Sequence, residues 1–488
     1  MNILFIVQDL NFIEPIGMLL ISALAKSKGY HTHLGILSRE DIFEKIRKIQ
    51  PDIIAYSATT GEHKYYVSIN EKIKSNFKNI MTIMGGPHST FCPESISNKN
   101  YTFDAFFIGE GDIAFPQFLD VFQKKGDVSS IKNVITRSSR SSELHELVSD
   151  LDSLPFPDRD LLYGNTEMGE SPIKSFLTSR GCPYHCTYCF NRPFNLMYRG
   201  KGKILRRHSV DYVIEEIQRV RHKYPMEVIK FYDDVFAYKA DGWIEEFSRR
   251  YRAEIGIPFH CLTRANLVTG DILKLLKEAG CVSMVIAIEA GNFEVRKQLL
   301  NRDMSNEVII NAFELCKKYG INTYSNNMVG LPNTTIQHDI EPLDLNLKAK
   351  VMFGEFFTFH PYPGTELGDY CKKNNICDIH YDDFGMYYTS GSPLSCFTKK
   401  EKNIQKNITN LGTVVLMFPF LRNIVINYLI YLPYNKIYFL MYYAVKAYLI
   451  KTRIYPFKFK LRRAWKWINK SYHLIIKSQS NESYLQRK

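Results

Sequence analysis

Short apolar runs alternate with amphipathic stretches from the first residues onward. ILFIV, HTHLGIL, DIIAYSA, IMTIMGG and DAFFIGEG read as five strands within residues 1–125. Residues 16–28, REDIFEKIRKIQ, HKYYVSINEKIKSNF and residues 115–123 repeat apolar side chains at helical spacing between and after them. Strand-helix alternation of this kind implies parallel strands covered on both faces, the doubly wound α/β architecture. Residues 126–172 break the rhythm with SSRSSE and LDSLPFPDRD and read as a connector. The alternation then resumes over residues 173–380. IKSFLTS, EVIKFYDD, IPFHCLT, VSMVIAIE, INTYSNNMVG and VMFGEFFTFH are six further strand candidates separated by helical stretches. Six strand-helix units predict a partial (β/α)6 barrel with its active site at the strand C-termini. Residues 381–488 lose the pattern and predict a mainly helical third region.

Length and composition fit this division. The 488 residues suffice for about three domains of roughly 100–200 residues each. An apolar content of 45% is that of a globular chain. The opening MNILFIVQDL has neither a basic n-region nor a small-residue cleavage site, so it reads as a strand rather than a signal peptide. Ten cysteines in so long a chain do not make a disulfide scaffold. Without an export signal the expected compartment is the reducing cytoplasm, where clustered cysteines point to metal.

Charge singles out the C-terminus. Of the net +13, residues 446–488 carry +11, from twelve Lys/Arg and the single acid Glu482, which leaves +2 for residues 1–445. Just before and within this segment, residues 411–450 are apolar and aromatic, but Arg422, Lys436, Lys446, Pro419 and Pro433 interrupt every run short of a spanning helix. The tail KFKLRRAWKWINK mixes cations with Trp465 and Trp467. Such a region suits peripheral contact with the inner face of an anionic membrane, or a helical cover over the barrel with a solvated tail. Nucleic-acid binding by the same charge is disfavoured.

The densest chemistry lies where the first barrel strand ends. Arg180-Gly181 lead into CPYHCTYC, so Cys182, Cys186 and Cys189 stand four and three residues apart in one loop. Thiolates bind iron-sulfur clusters, and a 4Fe-4S cluster held by three of them keeps one iron open to chelate a ligand. A three-cysteine zinc site completed by His185 is the plainer alternative, and the strand context argues against it. Cys92, Cys261, Cys281 and Cys316 are scattered and read as core residues. Cys371, Cys377 and Cys396 are the alternative place for an auxiliary cluster, which their irregular spacing disfavours.

On these residues the chain resembles the radical S-adenosylmethionine enzymes that carry a cobalamin-binding domain, over about residues 1–370. CPYHCTYC matches that family's cluster loop, and Tyr188 takes the place of the aromatic residue near the adenine. FYDDVF matches the second-strand motif, which implies that Asp233 and Asp234 contact the cofactor's amino group. Arg264, Glu289 and the turn Val329-Gly330-Leu331-Pro332 sit where later strands help hold S-adenosylmethionine, and HPYPGTEL resembles the sixth-strand signature. Carboxylates suit a cationic cofactor, and glycine lets backbone approach it closely. The resemblance also implies a flavodoxin- or ferredoxin-type electron donor.

The loops beyond the first five strands contain Glu14-Pro15-Ile16-Gly17, Ser57-Ala58-Thr59-Thr60-Gly61, Gly85-Gly86-Pro87-His88 and Gly109-Glu110-Gly111-Asp112. Small residues there leave room for a large ligand with a phosphate-bearing tail. The stretches are similar to those of cobalamin domains, which implies cobalamin contacts for Pro15, Gly17, Ser57, Gly85, Gly86, His88 and Gly109. Gln8-Asp9-Leu10-Asn11 lacks the histidine of the cobalt-ligating motif, and His88 is expected to meet the cofactor edge or solvent. The implied activity is methylation of an unactivated carbon or phosphorus centre in a small, hydrophobic or lipid-like molecule. One S-adenosylmethionine supplies the methyl group through cobalamin, and a second supplies the radical. The alternatives are radical cyclisation or rearrangement without net methyl transfer, and a non-catalytic cobalamin-binding regulator. The intact cysteine loop argues against the regulator. A transfer-RNA methylthiotransferase is disfavoured because only Cys92 lies in the first domain.

Overall fold

A computed structural model of the chain describes residues 1–10, 14–139, 142–377, 384 and 391–457. The first sheet contains β1 (Asn2–Val7), β2 (His31–Ile36), β3 (Ile53–Ser57), β4 (Met81–Gly85), β5 (Ala105–Phe107) and β6 (Val134–Thr136). Its order is β2-β1-β3-β4-β5-β6. The first five strands are parallel, as the alternation predicts. The antiparallel edge strand β6 comes from the stretch read as connector. Three residues of VIT between Ser-rich segments are too short for a legible period. Strand order reverses between β1 and β3, the switch point at which doubly wound sheets open a crevice.

A short ribbon, β8 (Ser179–Arg180) with β9 (Arg206–Arg207), separates β7 (Ile173–Phe176) from the rest of the second sheet. That sheet continues with β10 (Val228–Phe231), β11 (Phe259–Thr263), β12 (Cys281–Ile286), β13 (Asn322–Val329) and β14 (Phe353–Thr358). The order β14-β13-β12-β11-β10-β7 is parallel and sequential throughout, an open six-stranded barrel whose strands are those the sequence predicts.

The region after β14 is helical and closes the barrel's side and floor. Helix Lys399–Met417 packs on β14, where Gly412 lies against Phe356 and the Thr413 hydroxyl donates to Gly354 O at 2.7 Å. Helix Lys436–Leu449 brings Tyr442 and Lys446 to Glu355, which also accepts from Tyr324. Below the strands, the Ser283 hydroxyl donates to Ile454 O at 2.6 Å, and Tyr455 stacks edge-on against His260. Among the described residues these contacts cover the side and floor of the barrel and leave the strand C-termini to the first domain. Among the described residues, no helix is long and apolar enough to cross a membrane. The basic tail 458–488, with Trp465 and Trp467, lies outside the described residues.

Candidate functional site: a cluster loop facing the first domain

Backbone geometry sets the cluster loop. Gly181 adopts φ +88°, and a Cβ there would collide with Ile204 O, so the turn out of β8 needs glycine. The loop carries Cys182, Cys186 and Cys189, the first two buried and the third partly so. Asn195 Nδ2 ties the loop down by donating to Cys182 O at 2.8 Å.

Two arginines converge on Cys186. Arg264 Nη1 lies 3.3 Å from its sulfur and stacks over Tyr184, and Arg302 Nη1 lies 3.9 Å from the same sulfur. Burial pushes the Cys189 thiol up to about 12, and burial, with Asp234 adding to it, raises Cys182. Thiols raised in this way release protons when they ligate metal. Guanidinium donors on a sulfur suit a thiolate bound to an anionic cluster. Among the described residues, no three His, Cys, Asp or Glu side chains are grouped as a single-ion site requires. A cluster differs, since each thiolate binds a different iron. The donor set therefore fits an iron-sulfur cluster better than a zinc site.

The acids expected around the cofactor separate into two kinds. Asp233 is fully buried and accepts from Thr178 N (3.0 Å), the Thr178 hydroxyl (2.8 Å) and the Ser179 hydroxyl (2.5 Å), so it pins the strand that launches the loop rather than meeting a ligand. Asp234 opens in front of the cysteines, and the surrounding protein raises its carboxyl. Glu289, at φ +68°, accepts from the Tyr188 hydroxyl at 2.9 Å. The same hydroxyl accepts from Arg302 Nη1 at 3.2 Å. Tyr188, Glu289 and Arg302 thus lock the last turn of the cluster loop to the end of β12. Arg302 carries no motif and was not legible in sequence.

At the end of β13 the Val329 side chain turns into the core. Gly330, at φ +70°, donates its N–H to Asp339 Oδ1 at 2.6 Å and backs onto Gln405 of helix Lys399–Met417. Cys92, Cys261, Cys281, Cys316 and Cys371 are buried, Cys377 is partly buried and Cys396 is exposed.

The first domain presents its loops to this site. Gly109, at φ +70°, lies so close to the Tyr198 ring that no Cβ fits. Glu110 N donates to the Tyr198 hydroxyl at 2.9 Å. Asp112 and Glu110 pair with Arg180 at 2.6 and 3.3 Å, and Glu110 pairs with Arg206 at 2.6 Å. Both arginines belong to the ribbon beside the cluster loop. Phe91, ending the helix begun by Pro87, meets Phe190 next to Cys189 at 6.2 Å between ring centres and lies against Gly364 beyond β14. Glu14 accepts from Ser175 N on the free edge of β7 at 3.0 Å and pairs with Arg159, which also pairs with Glu216, each at 2.8 Å. Glu14 is therefore an interdomain pin rather than a cleft residue.

Within the crevice, Gly17 borders open space and Ser57 is exposed at the end of β3. Gly86, at φ +93°, would place a Cβ 2.8 Å from Ala58 O, so Gly85-Gly86 cross beside β3 only as glycines. The Ser38 hydroxyl is buried without a partner beyond β2. An unfilled acceptor and a glycine-lined crevice at the switch point suit a large polar-tailed ligand. Pro15 is half-buried beside it. His88 presents no surface to a ligand here. It is fully buried, stacked on His63 at 3.8 Å, with its ring nitrogens 3.1 Å from the Thr60 hydroxyl and 3.4 Å from that of Tyr101. Its place in the expected cofactor set is corrected on that ground: its ring is taken up by packing.

Residues 176–343 match the model of the radical SAM superfamily, and residues 6–119 match the B12 binding domain. The chain is 28% identical to an uncharacterized methyltransferase of Pyrococcus horikoshii, over 70% of this chain and 73% of that one. It is 24% identical to the cytidylyl-2-hydroxyethylphosphonate methyltransferase of Streptomyces wedmorensis, over 73% of each. The fold is similar to that of the radical S-adenosylmethionine methyltransferase TsrM of Kitasatospora setae, with a TM-score of 0.59, 15% identity and 76% of each chain covered.

Proposed function

Because this chain is a radical S-adenosylmethionine enzyme with a B12-binding domain, we propose that it methylates an unactivated carbon or phosphorus centre of a small molecule held between its two domains. Its cofactors are a 4Fe-4S cluster, S-adenosylmethionine and cobalamin. The observation that carries the reading is the docking of the first domain's loops on the segment that leaves the cluster loop: Phe91 on Phe190, directly after Cys189, and Gly109 on Tyr198, at the end of the helix that follows. A methyl donor in the crevice and a radical source in the barrel can then act on one substrate. When bound, the cofactors supply the methyl group and the radical. The residues supply position. In this reading Cys182, Cys186 and Cys189 ligate the cluster, and Arg264 and Arg302 stabilise the charge at Cys186. Asp234 receives the ammonium of S-adenosylmethionine, and Gly330 lets backbone approach it. Gly17, Ser57, Gly85 and Gly86 line the cobalamin crevice, while Phe91 and Phe190 exclude water between the sites. The mouth is the place for a hydrophobic substrate. We further propose a flavodoxin or ferredoxin as electron donor and a cytoplasmic location at the inner face of the membrane.

Anaerobic turnover with labelled S-adenosylmethionine tests the reading. Methyl transfer should yield both 5′-deoxyadenosine and S-adenosylhomocysteine once substrate is supplied. 5′-Deoxyadenosine alone would replace it with a radical cyclisation or rearrangement.

A further inference from the structure

Helix Lys436–Leu449 is apolar on both faces. Its inner face, Tyr438, Tyr442, Val445 and Leu449, is buried. Val445 and Leu449 pack with Val228 and Phe353 at the barrel floor. Its outer face is as apolar: Ile437 is 65% exposed and Leu440 57%, and Met441, Tyr443 and Tyr448 continue the stripe at helical spacing. The turns before it add Phe420 at 77% and Tyr428 at 69%, together with Ile424, Tyr431 and Leu432. A helix on a water-facing surface normally turns a polar face outward. A contiguous apolar surface of this kind marks an interface.

Charge identifies the occupant. From residue 402 to residue 481 the chain has fourteen Lys/Arg and no Asp or Glu. Lys436 opens the bare helix, and Lys451 and Arg453 follow it. A second copy seated on this face would set two segments of like positive charge, neither with an acid of its own to offer the other, against each other. An anionic lipid surface instead neutralises them while taking up the apolar stripe. The helix has 14 residues and so is about 21 Å long at 1.5 Å per residue, too short to span a bilayer but long enough to lie in its interface.

We propose that the surface from Phe418 to Tyr448 is a docking face that lies in the headgroup layer of an anionic bilayer, with the inner face of helix Lys436–Leu449 fixed to the barrel through Glu355. The proposal is independent of which group is methylated.

Flotation of the reconstituted full chain tests it, with vesicles of phosphatidylcholine alone or mixed with phosphatidylglycerol. Substitution is the cleaner probe, because truncation before Gly412 would cut a helix packed on β14. The protein should float with the anionic vesicles. Both I437E/L440E and F420S/Y428S, on separate elements and at exposed sites, should weaken binding about tenfold or more, equivalent to about 1.4 kcal/mol. Cluster absorbance and 5′-deoxyadenosine formation should persist in both. Absence of flotation, or equal flotation of both variants, would overturn the docking face. So would self-association in lipid-free buffer that the same substitutions abolish, since it would assign the surface to a second copy.

Discussion

The Tyr188 hydroxyl donates to Glu289 at 2.9 Å, joining the cluster loop to the end of the fourth barrel strand across 101 residues of sequence. Arg302 completes the contact from a loop without a motif and also reaches Cys186. Replacing Arg302 by Met removes a charged donor to a cluster sulfur without removing a ligand. The cluster should assemble at full iron content, with a more negative midpoint potential. A one-electron shift of about 59 mV corresponds to a tenfold change in the reduction equilibrium. Redox titration of wild type and variant checks this, and an unchanged potential would confine Arg302 to holding the loop.

In the proposed function Cys182, Cys186 and Cys189 supply three thiolates and leave one iron open. The triple Cys→Ala variant should retain almost no iron after anaerobic reconstitution and form no 5′-deoxyadenosine. Iron content near four per chain would contradict the assignment.

Arg159 sits between the buried carboxylates of Glu14 and Glu216 where the two domains meet. Arg159→Met strands both charges, a loss of about 3–5 kcal/mol. The expected result is a lower urea midpoint together with weaker retention of cobalamin, because the pin between crevice and barrel is lost. A midpoint within error of wild type would refute the pin.

Asp339 accepts from Gly330 N and Gln405, and burial pushes its carboxyl up to about 7 from an ordinary 3.8. The folded chain thus keeps a proton that the unfolded chain releases between these values. The associated stability is complete below about pH 4 and is lost as pH rises through 7. Asp339→Asn is neutral at every pH. Its stability should therefore change less than that of wild type between pH 5 and pH 8 in paired urea titrations, and it should be the more stable of the two at pH 8. Parallel pH profiles would show that this carboxyl stays ionised.

His63 and His88 are buried and stacked against each other. Cobalamin bound in its cob(II) state should accordingly show no hyperfine coupling from a protein imidazole nitrogen. His88→Ala should leave the electron paramagnetic resonance spectrum unchanged. Such a coupling, lost on substitution, would place a histidine under cobalt.

The sequence alone determined what depends on neighbours along the chain. All eleven predicted strands form, because periodicity and turn residues act within a few positions. The cluster loop was equally legible, since its three cysteines lie within eight residues after a strand. The tertiary structure decided what depends on partners brought from far away. Asp233 and Asp234 are adjacent and chemically identical, yet three donors from Thr178 and Ser179 take one and leave the other open. His88, in a loop that reads as a ligand contact, is claimed by His63, Thr60 and Tyr101. Helix Lys436–Leu449 shows the limit most plainly. With apolar residues all round, its period carries no information about which side faces in. The packing of Val445 and Leu449 on the barrel floor and the reach of Tyr442 and Lys446 to Glu355 set that orientation and left Ile437 and Leu440 bare.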